Sequence, residues 1–104
     1  MALIIQPTTE KKIYVQGTAL ELTSVYTRLE FGCRPNGTTM EIAFYTYADH
    51  AAYLVGSSLP TDLPIHSLTS NIDPATQIQG LDSAHELAKT WFEGQGYQVS
   101  INLN

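Results

Sequence analysis

The chain has 104 residues, enough for one hydrophobic core without covalent staples and too few for two comfortable domains. Charged residues make up 14% of it, against roughly 25% in ordinary soluble proteins, and Thr, Ser, Asn and Gln fill the gap. With a net charge of −5 and five scattered Lys and Arg, there is no basic stripe of the kind a nucleic-acid partner needs.

The first segment, MALIIQPTTEKK, holds a short apolar run with no preceding positive charge, so it does not read as a signal peptide. No stretch reaches the roughly 20 apolar residues of a membrane span. Synthesis in the cytoplasm, without a membrane as partner, is the expectation. A short strand is expected at about 12–16.

The clearest signal is SVYTRLEFGCRPNGTTMEIAFYTY, where character alternates on both sides of Pro35-Asn36-Gly37. This predicts a long β-hairpin, about 22–34 and 38–47. A two-residue Asn36-Gly37 turn pairs Cys33 with Met40, Phe31 with Ile42 and Leu29 with Phe44, all apolar. Closing at Pro35-Asn36 instead would set Glu30 opposite Glu41, a like-charge pair, so the Asn-Gly register is preferred. Cys33, the lone cysteine, excludes an internal disulfide; inside a strand pattern it reads as a small buried side chain rather than a catalytic thiol. The Asn36-Gly37-Thr38 sequon reads as a turn.

On the hairpin's other face the same register pairs Arg28 with Tyr45 and Tyr26 with Tyr47. Tyrosines and arginine are enriched where partners dock, which makes Tyr26, Arg28, Tyr45, Tyr47 and the following Tyr53 the candidate protein interface. The alternative is packing beneath the protein's own loop or arm.

Asp49-His50 follows the second strand and is expected to form a turn, with Asp49 capping a short helical turn through His50 to Tyr53. Residues 56–80 are rich in Ser, Thr and Pro, with Pro60, Pro64 and Pro74 as breakers, and read as an arm or long loop. A weak strand is expected within it at about 65–72.

The last segment, LDSAHELAKTWFEGQGYQVSINLN, predicts a helix at about 83–94 and a strand at 97–103. Ser83 and Glu86 form a capping-box pattern, Ala84, Leu87, Ala88 and Trp91 recur at helical spacing, and Gly94 or Gly96 ends the helix. His85 is expected exposed in the first turn, and Lys89 with Glu93 as a solvated i, i+4 pair. Tyr97, Val99, Ile101 and Leu103 alternate with Gln98, Ser100, Asn102 and Asn104, so one strand face is buried and one is wet. The sum is a single α+β domain over 1–104, an antiparallel sheet with the hairpin at its centre and the helix packed on it.

Asp49, His50, His66, His85 and Glu86 are the residue types that serve as metal ligands or acid-base groups. Their spacing contains no His-x-x-x-His, His-Glu-x-x-His or paired-cysteine pattern, and Gly56-Ser57-Ser58 lacks the flanking residues of a nucleophile elbow or phosphate loop. No catalytic residue, cofactor or metal is therefore expected.

The runs VYTRLEFGCRPNGTTMEIAFYTYADHAAYLVG and AHELAKTWFEGQGYQVSINL resemble small proteins from the structural gene clusters of tailed bacteriophages and prophages. The resemblance covers about 22–103: a long hairpin, the phrase Tyr45-Thr46-Tyr47-Ala48 leading into Ala52-Tyr53, and a terminal helix-strand unit. It implies a non-enzymatic structural or assembly protein of the virion that binds itself or other virion proteins and is oligomeric or assembled. Two alternatives stand beside it: a small metal-dependent or hydrolytic enzyme using Asp49, His50 and His66, and a phage-encoded inhibitor of a host protein using the tyrosine face.

Overall fold

The computed structural model describes residues 1–33, 39–71 and 81–102. In chain order the strands are β1 (Ala2–Gln6), β2 (Ile13–Tyr14), β3 (Glu21–Leu22), β4 (Val25–Cys33), β5 (Thr39–Tyr47), β6 (Ser67–Asn71) and β7 (Gln98–Asn102). Helix α1 (His50–Leu54) follows β5, and helix α2 (Leu81–Gly94) precedes β7. Five strands form an antiparallel sheet in the order β6-β5-β4-β1-β7, and β2-β3 is a separate ribbon. The fold is α+β.

The hairpin has the expected register: Cys33 pairs with Met40, Phe31 with Ile42, Leu29 with Phe44, Arg28 with Tyr45 and Tyr26 with Tyr47. The period of two along both strands fixes it, because a slip by one residue would turn every apolar side chain to the other face. The Pro35-Asn36-Gly37 turn lies outside the described residues, as do the side chains of Cys33 and Ser83, on which two expectations rested.

The alternation of β7 holds over Gln98 to Ser100, exposed, buried and exposed in turn, whereas Ile101 and Asn102 are both half-buried. Leu103 and Asn104 are outside the described residues.

The strand expected from about 22 begins at Val25, because Leu22 pairs with Ile13 in the separate β2–β3 ribbon, and one further strand was not foreseen at all. The apolar run at the amino end is β1, which sits between β4 and β7 and pairs along its whole length with the latter. Ala2, Leu3 and Ile5 are buried and Ile4 is half-buried, so the run covers both faces of the sheet. A strand buried on both sides loses the alternation that marks a half-buried one.

The core lies between one sheet face and α2. Leu3, Ile5, Val25, Ile42, Phe44 and Val99 supply the sheet side; Ala84, Ala88 and Phe92 supply the helix side. Phe44 and Phe92 meet edge-on with ring centroids 5.3 Å apart. The helix lies over β7, β1 and β4. Ile13 and Leu63 close the core at the end where β2 and residues 58–63 cross.

The helix starts at Leu81, two residues before the predicted start, which places Ser83 in its first turn and not at its cap. His85 is fully buried, contrary to the expectation of an exposed first-turn residue. It stands three and seven residues before Ala88 and Phe92, on the flank of the same apolar stripe.

At the other end α2 stops in a Schellman motif. Tyr97 N–H donates to the Phe92 carbonyl at 3.2 Å and Gly96 N–H to that of Glu93 at 3.1 Å, with Gly96 at φ 103°. The Lys89–Glu93 pair is present at 3.2 Å on the helix surface.

The segment expected as an arm or long loop at 56–80 is tied to the domain wherever it is described. Leu59 N–H donates to the Thr46 carbonyl, Gln16 N–H to that of Pro60, and Asp62 N–H to that of Tyr14. The Asp62 carboxylate in turn accepts from Tyr14 N–H at 2.8 Å. Residues 67–71 then pair with β5 as an edge strand, inside the predicted weak strand. Residues 72–80 lie outside the described residues.

Candidate functional site

The face opposite α2 carries the tyrosines. Asp49 starts the structure that covers part of it: its backbone is extended at φ −161°, and its Oδ1 accepts from Ala52 N–H at 2.8 Å, capping α1 as expected. Gly56, at φ 74°, ends α1 in a second Schellman pattern, with Ser57 N–H donating to the Ala52 carbonyl and Gly56 N–H to that of Tyr53. Capped at both ends, this five-residue helix folds back over the sheet.

Its side chains build an aromatic cluster. Tyr53 lies 5.7 Å from Tyr26 and 5.3 Å from Tyr47 between ring centroids, and His50 lies 5.5 Å from Tyr26. The Arg28 guanidinium carbon sits 4.4 Å from the centre of the Tyr53 ring, within cation–π range, and Arg28 Nη1 donates to the Tyr26 hydroxyl at 3.4 Å. Each edge-on ring pair contributes about 0.5–1.5 kcal/mol beyond the area it buries.

The five candidate interface residues therefore separate. Tyr26 is only 2% exposed beneath α1; Arg28, Tyr47 and Tyr53 are half-buried in the cluster; Tyr45 remains 48% exposed. Among the described residues, the cover over Tyr26 and Tyr47 is the protein's own α1. A partner reaching this face meets Tyr45 and the outside of α1 before it meets Tyr26.

Beside Tyr45 the face opens into a depression of about 390 Å³ between Glu30, Gly32, Glu41 and Thr69. Gly32 leaves its floor empty, since a Cβ there would meet nothing within 4 Å. A hydrogen bond to Glu30, followed by the charge of that carboxylate, pushes the Tyr45 phenol above its ordinary value. The hydroxyl thus stays neutral and anchored.

Two more apolar features lie exposed. Leu54 ends α1 and is 67% exposed, and Val55, its C-cap, is 79% exposed. Leu20, in the turn between β2 and β3, is 66% exposed. Reading residue types for chemistry passed over Leu54 and Val55. Their signal lay in the quoted run HAAYLVG, where two branched apolar residues directly precede the helix-stopping glycine.

Asp49 spends one carboxylate oxygen on the helix cap, His50 meets Tyr26 edge-on, and His66 stands exposed beside β6, where its carbonyl accepts from Phe44 N–H. Among the described residues, no group of three or more His, Cys, Asp or Glu is gathered closely enough to hold a metal ion. No described helix is long and apolar enough to cross a membrane.

No protein-family model matches the chain, and neither the curated proteins nor the solved structures contain a match.

Proposed function

We propose that this protein is a non-enzymatic structural or assembly subunit of a tailed-phage particle, acting through protein–protein contacts. The observation that carries the reading is the outer end of α1, where Leu54 and Val55 stand 67% and 79% exposed beside a stacked Tyr-Arg cluster. Isolated exposed apolar residues are ordinary, but an adjacent pair on a helix braced from beneath by aromatic rings is a pre-organised contact. The low charge of the chain favours the same use, because few ions must be desolvated when such a surface is buried. The resemblance to phage structural-cluster proteins supplies the setting, the virion, and the partners, its own copies or other virion proteins.

The test is incorporation into particles. The double variant Leu54→Ser, Val55→Ser should keep the thermal midpoint of the parent, because both side chains are exposed, and should be lost from the particle fraction after sedimentation. Unchanged incorporation would remove the α1 end as the contact. If the parent chain instead stayed soluble and co-purified stoichiometrically with a host protein through the same residues, the host-directed inhibitor would replace the virion reading.

A further inference from the structure

We propose that β7 is a self-association edge, pairing antiparallel with β7 of a second copy across a two-fold axis to join two five-stranded sheets. Among the described residues the strand closes one border of the sheet, so along its outer side the backbone N–H and C=O groups face away from β1. Natural proteins guard such edges with charges, prolines or bulges. The sequence of β7, Gln98-Val99-Ser100-Ile101-Asn102, has no charge and no proline, and its pairing with β1 runs through all five residues without a bulge.

The strand is also complementary to itself. A two-fold axis at Ser100 sets Ser100 opposite the partner's Ser100, Gln98 opposite the partner's Asn102, and Val99 opposite the partner's Ile101. Polar thus meets polar on the wet face and apolar meets apolar on the core face, with no like-charge pair at any position. Ile101, half-buried in the single chain, gains cover. The other border strand does not match itself this way: centred on Thr69, β6 would set Leu68 opposite the partner's Ser70.

Antiparallel pairing about an axis normal to the sheet keeps both core faces on one side. Helix α2 spans β7, β1 and β4 and so reaches inward from the border, and the two copies of α2 lie side by side on that face. The two-fold closes the association at a dimer, because each copy uses its β7 edge once. This contact is separate from the α1 end: β7 lies beyond β1 from β4, and α1 covers tyrosines of β4 and β5.

Native mass spectrometry of the full chain at micromolar concentration tests it. The expected species is a dimer of twice 11.5 kDa. Ser100→Lys, which sets two ammonium groups opposite each other at an exposed site, should weaken that dimer by more than roughly tenfold, whereas Ser100→Thr should leave it. In a Cys33→Ser background, Ser100→Cys should give a covalent dimer on mild oxidation, because the axis sets the two thiols face to face. A monomeric parent, or a dimer that Ser100→Lys leaves intact and Ser100→Cys does not cross-link, would overturn the proposal. Leu54→Ser, Val55→Ser should not alter the dimer, so failure of the particle contact and failure of the edge contact are read separately.

Discussion

Gly96 shows how one residue sets the junction between helix and sheet. Its φ of 103° lies where an L side chain is strained, and an added Cβ would come within 3.0 Å of Lys11 Cγ. Its carbonyl also accepts from the Thr8 hydroxyl at 2.6 Å, which ties the segment after β1 to the end of α2. Gly96→Ala is expected to cost about 1–2 kcal/mol, read as a lower urea midpoint with an unchanged slope. Two residues could end the helix by sequence alone, and the chain uses the one that lets Tyr97 close back on Phe92, 6.1 Å away between ring centroids.

Tyr97 adds a pH dependence. Burial, with the Asp62 charge second, pushes its phenol above the ordinary value of 10.0. Below that value both folded and unfolded chains keep the proton, and the contribution to stability is complete. As pH rises past about 10 the unfolded chain ionises first, so stability falls until the folded phenol ionises too. Urea midpoints measured across this alkaline range should decline, and Tyr97→Phe should make the decline shallower. An equal decline in both chains would place its origin in other residues.

Among the elements, the hairpin was legible because alternation and an Asn-Gly turn point to the same register, and a like-charge pair penalises its competitor. The central strand β1 was not legible, for the opposite reason: Ala2 to Ile5 faces packed surfaces on both sides and shows no period. Helix α1 was legible through Asp49, yet its role was not, since nothing in HAAYLVG says which surface it returns to.

That role makes the capping residue measurable. Asp49→Ala removes the acceptor for Ala52 N–H and should destabilise α1 by about 1 kcal/mol. Because α1 rests on the sheet mainly through rings, the expected outcome is faster amide exchange in 50–57 with little change in the amides of β4 and β1. Uniformly faster exchange across the sheet would mean that α1 is part of the global folding unit.

Across the whole molecule, the two sheet faces divide the work. Among the described residues, one is sealed by α2 around Phe92; on the other, α1 covers Tyr26 and part of Tyr47 and leaves Tyr45, Leu54 and Val55 outward. The class of fold followed from the sequence because periods of two and 3.6 each occupy their own segment. The candidate surface was legible only in part. Tyr26 and Tyr45 alternate on the same face and look alike in sequence, and it is the return of α1 over one of them that makes them differ. Likewise the carboxylate and imidazoles of Asp49, His50 and His66 are all ligand types in sequence, and only the cap and the edge-on ring contact place the first two.

Quantitative mass spectrometry of purified particles tests whether the proposed subunit is held there by protein contacts. The chain should be present at a fixed copy number per particle and retained through repeated gradient purification. Complete particles that lack the chain would contradict it.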